Sequence, residues 1–317
     1  MIRLDGKSPK ASALIEVTTE TLPVTEQEGL TTASLFKYLP PERKDIFQTH
    51  CVRYSQPAVF NDPFEARPHF TGFGPAAAWE GGYSGRFEKV LRDQYLAMSS
   101  EFREQMPYFL FSALLENQRP IIYDIFRKVD ASFVPEINAM MHKNFAEQLG
   151  VFSLSEVKDD QLMWSHYARS HQGFVIEFDP TDRYFTRRNV PTDDLWQLQK
   201  VAYAERRPRT TVIDFDMQAI LLTKHISWSY EREWKDFRPL NQASRVIDAM
   251  PFPIHLFAIS PRCIHSVIFG AKMEINLKDE LMSTIRTDKA FSHVELCEVV
   301  LDDRDYAMSI RRLPRAA

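Results

Sequence analysis

The sequence predicts an α+β fold, with a mixed or mainly antiparallel β core and a helical insertion. Three observations lead there. Short runs rich in β-branched and aromatic residues, among them "SLFKYL", "GFVIEFD" and "SVIFG", read as strands. A block at about 86–150 instead carries apolar residues at helical spacing. Strands and helices do not alternate regularly, which argues against a parallel α/β sheet.

Taken in order, residues 1–29 are polar, with Thr and Glu clusters, and read as an arm or tail ahead of one domain at 30–317. "SLFKYL" is the first strand, and "PPERKDIFQT" opens a helix, since Pro is accepted in a first helical turn. "CVRYSQPAVF" reads as extended. In the helical block, Phe87, Val90, Leu91, Gln94 and Tyr95 form one stripe and Phe133, Ile137, Met140, Met141 and Phe145 another, with Gly150 as the stop. "VFSLS", "GFVIEFD", "VAYAE", "ISWSYEREWKDF" and "SVIFG" follow as strands, with a helix at "DDQLMWSHYARSH" between the first two.

Composition narrows the class. An apolar fraction of 44% in 317 residues allows a sizeable core. A formal charge of -4 gives no general attraction to nucleic acid or membrane. Cys51, Cys263 and Cys297 form neither a CxxC pair nor a disulfide framework. The N-terminus lacks the apolar core of a signal peptide, and no run is long enough to span a bilayer. A cytoplasmic location is expected. GxGxxG, Walker A, HExxH and GxSxG are absent from the sequence. With "RCIHS" as the one Cys-His pair and no partner pair, no metal is expected.

Four stretches carry chemistry. Read as a strand, "ISWSYEREWKDF" places Trp228, Tyr230, Arg232 and Trp234 on one face and Ser229, Glu231, Glu233 and Lys235 on the other. Glu231 and Glu233 would then stand about 6–7 Å apart, close enough for one to be held protonated while the other ionises. A solvated face over an aromatic core explains the same pattern. "GFVIEFD" alternates likewise, burying Phe174, Ile176 and Phe178 and displaying Val175, Glu177 and Asp179; here an ordinary half-buried strand is the plain reading.

In "DDQLMWSHYARSHQG", Asp159 or Asp160 caps a helix and Gly173 ends it. Trp164, Tyr167, Ala168 and His171 share a stripe, either a core face or a polar-aromatic wall for a heterocyclic ligand, and His166 lies beside it. In "VFNDPFE", Asp62, Pro63 and Glu65 have the spacing of a capping box on a helix of about one turn. That leaves the Asn61 amide available to a ligand, with Asp62 and Glu65 as its support.

"LFKY", "FNDPFE", "LMWSHYARSHQGFVIEFD", "VAYAERRP", "WSYEREWK" and "SVIFG" occur in one order between about Leu35 and Gly270. In these motifs the chain resembles a bacterial family, the domain of unknown function numbered 2971. It departs from the family where Leu39 replaces a frequent Arg and where Lys235 follows Trp234 in place of Arg. Lys keeps the charge without the planar fork.

More weakly, strand, helix, strand and a late E-x-E strand are similar to ADP-ribosyltransferase-like domains. That resemblance implies NAD as a substrate. Lys37 or Tyr38 on the first strand would hold it, with Tyr54 or Tyr167 stacking on the nicotinamide. Glu231 and Glu233 would be the E-x-E pair, Glu233 the main catalytic member, with His166 as a further catalytic candidate. Trp164 and Glu177 join the ligand-binding candidates, and Trp228 joins Asp62 and Glu65 as support. Two readings from other classes stand beside this one. The first is a non-catalytic module binding a nucleotide or a partner, in phage defence or stress response, with its carboxylates paired to residues such as Arg232 and Arg169. The second is a nucleic-acid hydrolase using Asp62, Glu65, Glu177 and Glu231 around magnesium.

Overall fold

The computed structural model describes residues 34–72, 92–93, 95–186, 197–211 and 216–314, the side chains of 113–132 excepted. The arm expected at 1–29 and the stripe residues Phe87, Val90, Leu91 and Gln94 lie outside them. The described residues all belong to the unit Thr32–Ala317.

The strands run β1 (Leu35–Leu39), β2 (Cys51–Tyr54), β3 (Leu149–Ser155), β4 (Phe174–Phe178), β5 (Gln199–Lys200), β6 (Ala202–Ala204), β7 (Thr223–His225), β8 (Glu233–Pro239), β9 (Arg245–Ile247), β10 (Ile254–Ala258), β11 (Ile264–Phe269), β12 (Glu295–Leu301) and β13 (Met308–Arg312). Eight of them form the main sheet in the order β13-β12-β11-β4-β1-β3-β8-β5. Its pairings are antiparallel except that of β11 with β12. The fold class is α+β, as the sequence predicts.

Alternation along the strands divides the core between the two faces of the sheet. One face collects Leu35, Phe152, Leu154, Phe174, Ile176, Phe178, Val267 and Phe269. The other collects Phe36, Tyr38, Val175 and Ile268 under Met163 and Trp164 of the helix Gln161–Tyr167. β4 sits between β1 and β11 and is covered on both faces, so Val175 is buried rather than displayed.

The helix Gln161–Tyr167 starts where Asp160 accepts a hydrogen bond from the Met163 amide at 2.9 Å. It ends earlier than Gly173. Arg169, Ser170 and His171 are left-handed, with φ of 44°, 52° and 70°, and turn the chain back toward the sheet. Gly173 is needed for contact, not capping: a Cβ there would stand 2.0 Å from the Leu39 carbonyl oxygen. Gly150 also differs from its expected role. The long helix Tyr108–Gln148 stops before it, and Gly150 lies in β3, where a Cβ would meet Leu240 and Tyr54.

Of the stripe read at Phe133–Phe145, Phe145 is buried, whereas Phe133 and Met140 are exposed. At the C-terminal end of that helix Phe145 packs in a cluster with Leu149, Val151 and Phe237. No helix among the described residues is long and apolar enough to cross a membrane.

Candidate functional site

β1 and β3 register at Phe36 opposite Ser155, while farther along β3 is bridged at Val151 to Ser55, the residue just after β2. The sheet is split there, and Lys37 reaches across the split to donate to the Ser153 carbonyl at 2.7 Å. A cavity of about 250 Å³ occupies the region, its walls including Lys37, Tyr38, Asn61, Tyr167, Glu231 and Glu233.

The carboxylates reach it by different routes. The stretch read as one long strand is in two pieces: Ile226–Glu231 is a 3-10 helix, Arg232 is left-handed at φ 41°, and β8 begins at Glu233. The Arg232 turn, not strand alternation, brings Glu231 back beside Glu233. The turn is itself satisfied, since the Glu156 amide donates to the Arg232 carbonyl at 3.1 Å.

Lys224 on β7 joins the pair. Its Nζ lies 2.5 Å from Glu231 Oε2, 3.1 Å from Glu233 Oε2 and 3.1 Å from Glu65 Oε2. Lys235 completes the cluster at 2.8 Å from Glu65 Oε1 and donates to the Leu221 carbonyl at 3.1 Å. All five side chains are buried. Three carboxyls face two ammonium groups, so one negative charge lacks a match inside the cluster.

The environment separates the two glutamates. Burial raises the pKa of Glu231, against the pull of Lys224 and of the Tyr167 hydroxyl, which donates to its Oε1 at 2.5 Å. Burial acts the same way on Glu233, but Lys235 and Lys224 outweigh it and hold that carboxyl below its ordinary value. Lys224 would lose its proton to burial, yet Glu233, Glu65 and Glu231 together raise its pKa. Across the split, burial and the nearby Arg43 and Arg53 lower Lys37 to about 8, against Glu233 and Glu231. A carboxyl pair with pKa values pushed apart, beside a polar cavity, is the arrangement that divides acid and base roles.

Other expected residues fall into place unevenly. Asn61 lines the cavity together with Tyr167. Asp62 does not cap a helix. Residues 63–66 form a turn, held where the Phe64 amide donates to Asp62 Oδ1 at 2.8 Å. Glu65 therefore serves the lysine cluster instead of a capping box. Trp228 backs the cluster, with Lys224 Nζ 4.9 Å from its ring centre.

Four candidates lie off the cavity walls. Trp164 is wholly buried, edge-on to Tyr38, with its indole donating to the Lys158 carbonyl at 2.9 Å. Tyr54 is in the core on the opposite face and donates to Asp236. Glu177 accepts from Ser266 Oγ at 2.5 Å. His166 is exposed and faces the Tyr230 hydroxyl at 3.1 Å. The ion partners differ too: Arg169 pairs with Glu42, and the glutamates pair with lysines rather than with Arg232 or Arg169. Of the set Asp62, Glu65, Glu177 and Glu231, three line the cavity and Glu177 does not, and among the described residues no group of three His, Cys, Asp or Glu is arranged to hold a metal ion.

Lys224 was missed in the sequence, although "AILLTKHI" offered a signal: a lone lysine in an apolar run is either at a surface or paired inside.

Residues 163–235 match the model of a family described as a protein of unknown function (DUF2971). The match covers most of the helix Gln161–Tyr167, β4 and the glutamate pair, and is narrower than the span Leu35–Gly270 over which the motifs run. No curated protein and no solved structure matches the chain.

Proposed function

We propose that the chain binds an NAD-type dinucleotide at this cavity and breaks its nicotinamide–ribose bond, passing the ribose carbon to water or to an acceptor hydroxyl. The observation that carries this reading is the Glu231–Glu233 pair, which shares Lys224 at the cavity wall yet has its two pKa values displaced in opposite directions.

As the glycosidic bond breaks, its electron pair goes to the nicotinamide nitrogen and nicotinamide leaves neutral. The ribose carbon becomes oxocarbenium-like. Glu233, kept ionised by two lysines, stabilises that charge more than it stabilises the ground state. Glu231 accepts the proton of the attacking hydroxyl, a role suited to a raised pKa. Tyr167 and Asn61 orient the groups around it. The cavity falls below the ~300–1,000 Å³ usual for drug-sized ligands, so it suits the nicotinamide–ribose end, with the rest of the dinucleotide running outward.

The test is NAD consumption and nicotinamide release by purified protein, wild type against Glu233→Gln. Turnover lost in the variant while NAD binding persists supports the reading. Neither cleavage nor ADP-ribosylation of an acceptor, together with no NAD binding, overturns it.

A binding-only module is the second reading, favoured by one observation: Glu65, Glu231 and Glu233 are all already engaged by lysine. It requires tight nucleotide binding by wild type without turnover, and binding unchanged in Glu233→Gln.

A further inference from the structure

One carboxylate in the cavity wall is not held by a lysine. Asp62, Glu65, Glu231 and Glu233 all stand in that wall. Glu65, Glu231 and Glu233 are each engaged by Lys224, and Glu65 also by Lys235. Asp62 is 4% exposed, and its two oxygens are placed differently. Oδ1 accepts from the Phe64 amide at 2.8 Å, the bond that holds the turn at 63–66. Oδ2 is buried and has no hydrogen-bond partner among the described residues.

An ionised carboxylate can only accept hydrogen bonds. Burying one of its oxygens without a donor leaves the cost of desolvating it uncompensated. The turn does not require that oxygen, because Oδ1 alone makes the turn bond. An Asn would make the same bond through its amide oxygen and bury no charge. What Asp offers here, and Asn does not, is a second acceptor. Lys37, in the same wall, does not supply the donor; it donates to the Ser153 carbonyl.

We infer that Asp62 Oδ2 is a ligand contact: it accepts a hydrogen bond from an N–H or O–H group of the molecule that fills the cavity, and so selects for a donor and against an anion at that point. The inference rests on the dinucleotide reading for the identity of that molecule. At the nicotinamide–ribose end of such a dinucleotide two groups carry donors of this kind, the carboxamide and the ribose hydroxyls. Asp62 then has a binding role besides shaping the turn.

Calorimetric titration of the full chain with NAD and with its nicotinic acid analogue tests it, on wild type, Asp62→Asn and Asp62→Ser, each first checked for folding by circular dichroism. The analogue carries a carboxylate where NAD has the carboxamide. In Asp62→Asn the Phe64 amide still claims the side-chain oxygen, so an NH2 group replaces Oδ2 and an acceptor becomes a donor. In Asp62→Ser the hydroxyl can still receive the Phe64 amide, and nothing stands at the Oδ2 position. Both variants should bind NAD about tenfold or more weakly, the loss expected for a hydrogen bond to a charged group. If the carboxamide is the donor, Asp62→Asn should bind the analogue more tightly than wild type does. If a ribose hydroxyl is the donor, Asp62→Asn should lose affinity for both dinucleotides alike. Either result supports the contact and names the group. Equal NAD affinity in wild type and either folded variant, or no binding of either dinucleotide to wild type, overturns it. These readouts do not involve turnover. NAD bound through Asp62 but left intact counts against the reaction alone; NAD cleaved, with affinity unchanged in the variants, counts against the contact alone.

Discussion

Glu65 Oε1 and Lys235 Nζ lie 2.8 Å apart, with side chains only 4% and 1% exposed. A turn early in the chain is thereby clamped to the strand that begins at Glu233. Charge buried this deeply tolerates the loss of a partner poorly. Glu65→Ala should cost about 3–5 kcal/mol, because it leaves Lys235 without its carboxylate and Lys224 with one fewer. Urea denaturation of wild type and variant measures the difference; a loss within experimental error would mean the pair is not the clamp.

The glutamates should give stability two opposed pH dependences. Glu233 has a lowered folded pKa, so its contribution is complete above its ordinary value of 4.5 and is lost as pH falls through the folded value. Glu231 has a raised one, so its contribution is complete below 4.5 and is lost as pH rises through the folded value. Glu231→Gln should therefore abolish the decline on the alkaline side and keep the acid one. Denaturation midpoints taken across the acid and neutral range decide this.

Tyr167→Phe removes the hydroxyl that donates to Glu231 at 2.5 Å. That bond favours the ionised carboxyl, so the Glu231 pKa should rise further in the variant. Carbon-13 carboxyl NMR titration of the two proteins reads the shift directly. In the enzymatic reading the same change moves the acid shoulder of the pH–rate profile upward.

Lys37 is lowered from 10.5 to about 8. The folded chain then binds fewer protons than the unfolded one between those values, and stability should gain with pH from about 8 to 10.5. Lys37→Met should remove that gain. Thermal or urea midpoints through the same interval test it, and an identical slope in wild type and variant contradicts the assignment.

Gly173→Ala should prevent native folding or weaken it severely. A Cβ at this position meets the Leu39 carbonyl oxygen at 2.0 Å and the Leu39 carbonyl carbon at 3.0 Å, both backbone atoms with little room to move. Soluble yield and a melting curve suffice to check it.

The sequence alone determined the α+β class, β1, β4, β11, and a helix capped at Asp159 or Asp160, because local periodicity and capping encode these. It also singled out Asn61, Glu231 and Glu233, which the structure brings to one cavity. What it misjudged was how they get there. A left-handed residue at Arg232 breaks the apparent strand, and no residue pattern marks that backbone reversal. Tertiary structure alone decided that Trp164 and Tyr54 are buried in the core and that Glu177 lies off the cavity walls, and that Lys224 and Lys235, far apart from Glu65 in sequence, hold the three glutamates. The physical reason is that alternation and helical spacing report which side of an element a residue takes. Which charges are buried together depends on how separate elements close around the split sheet.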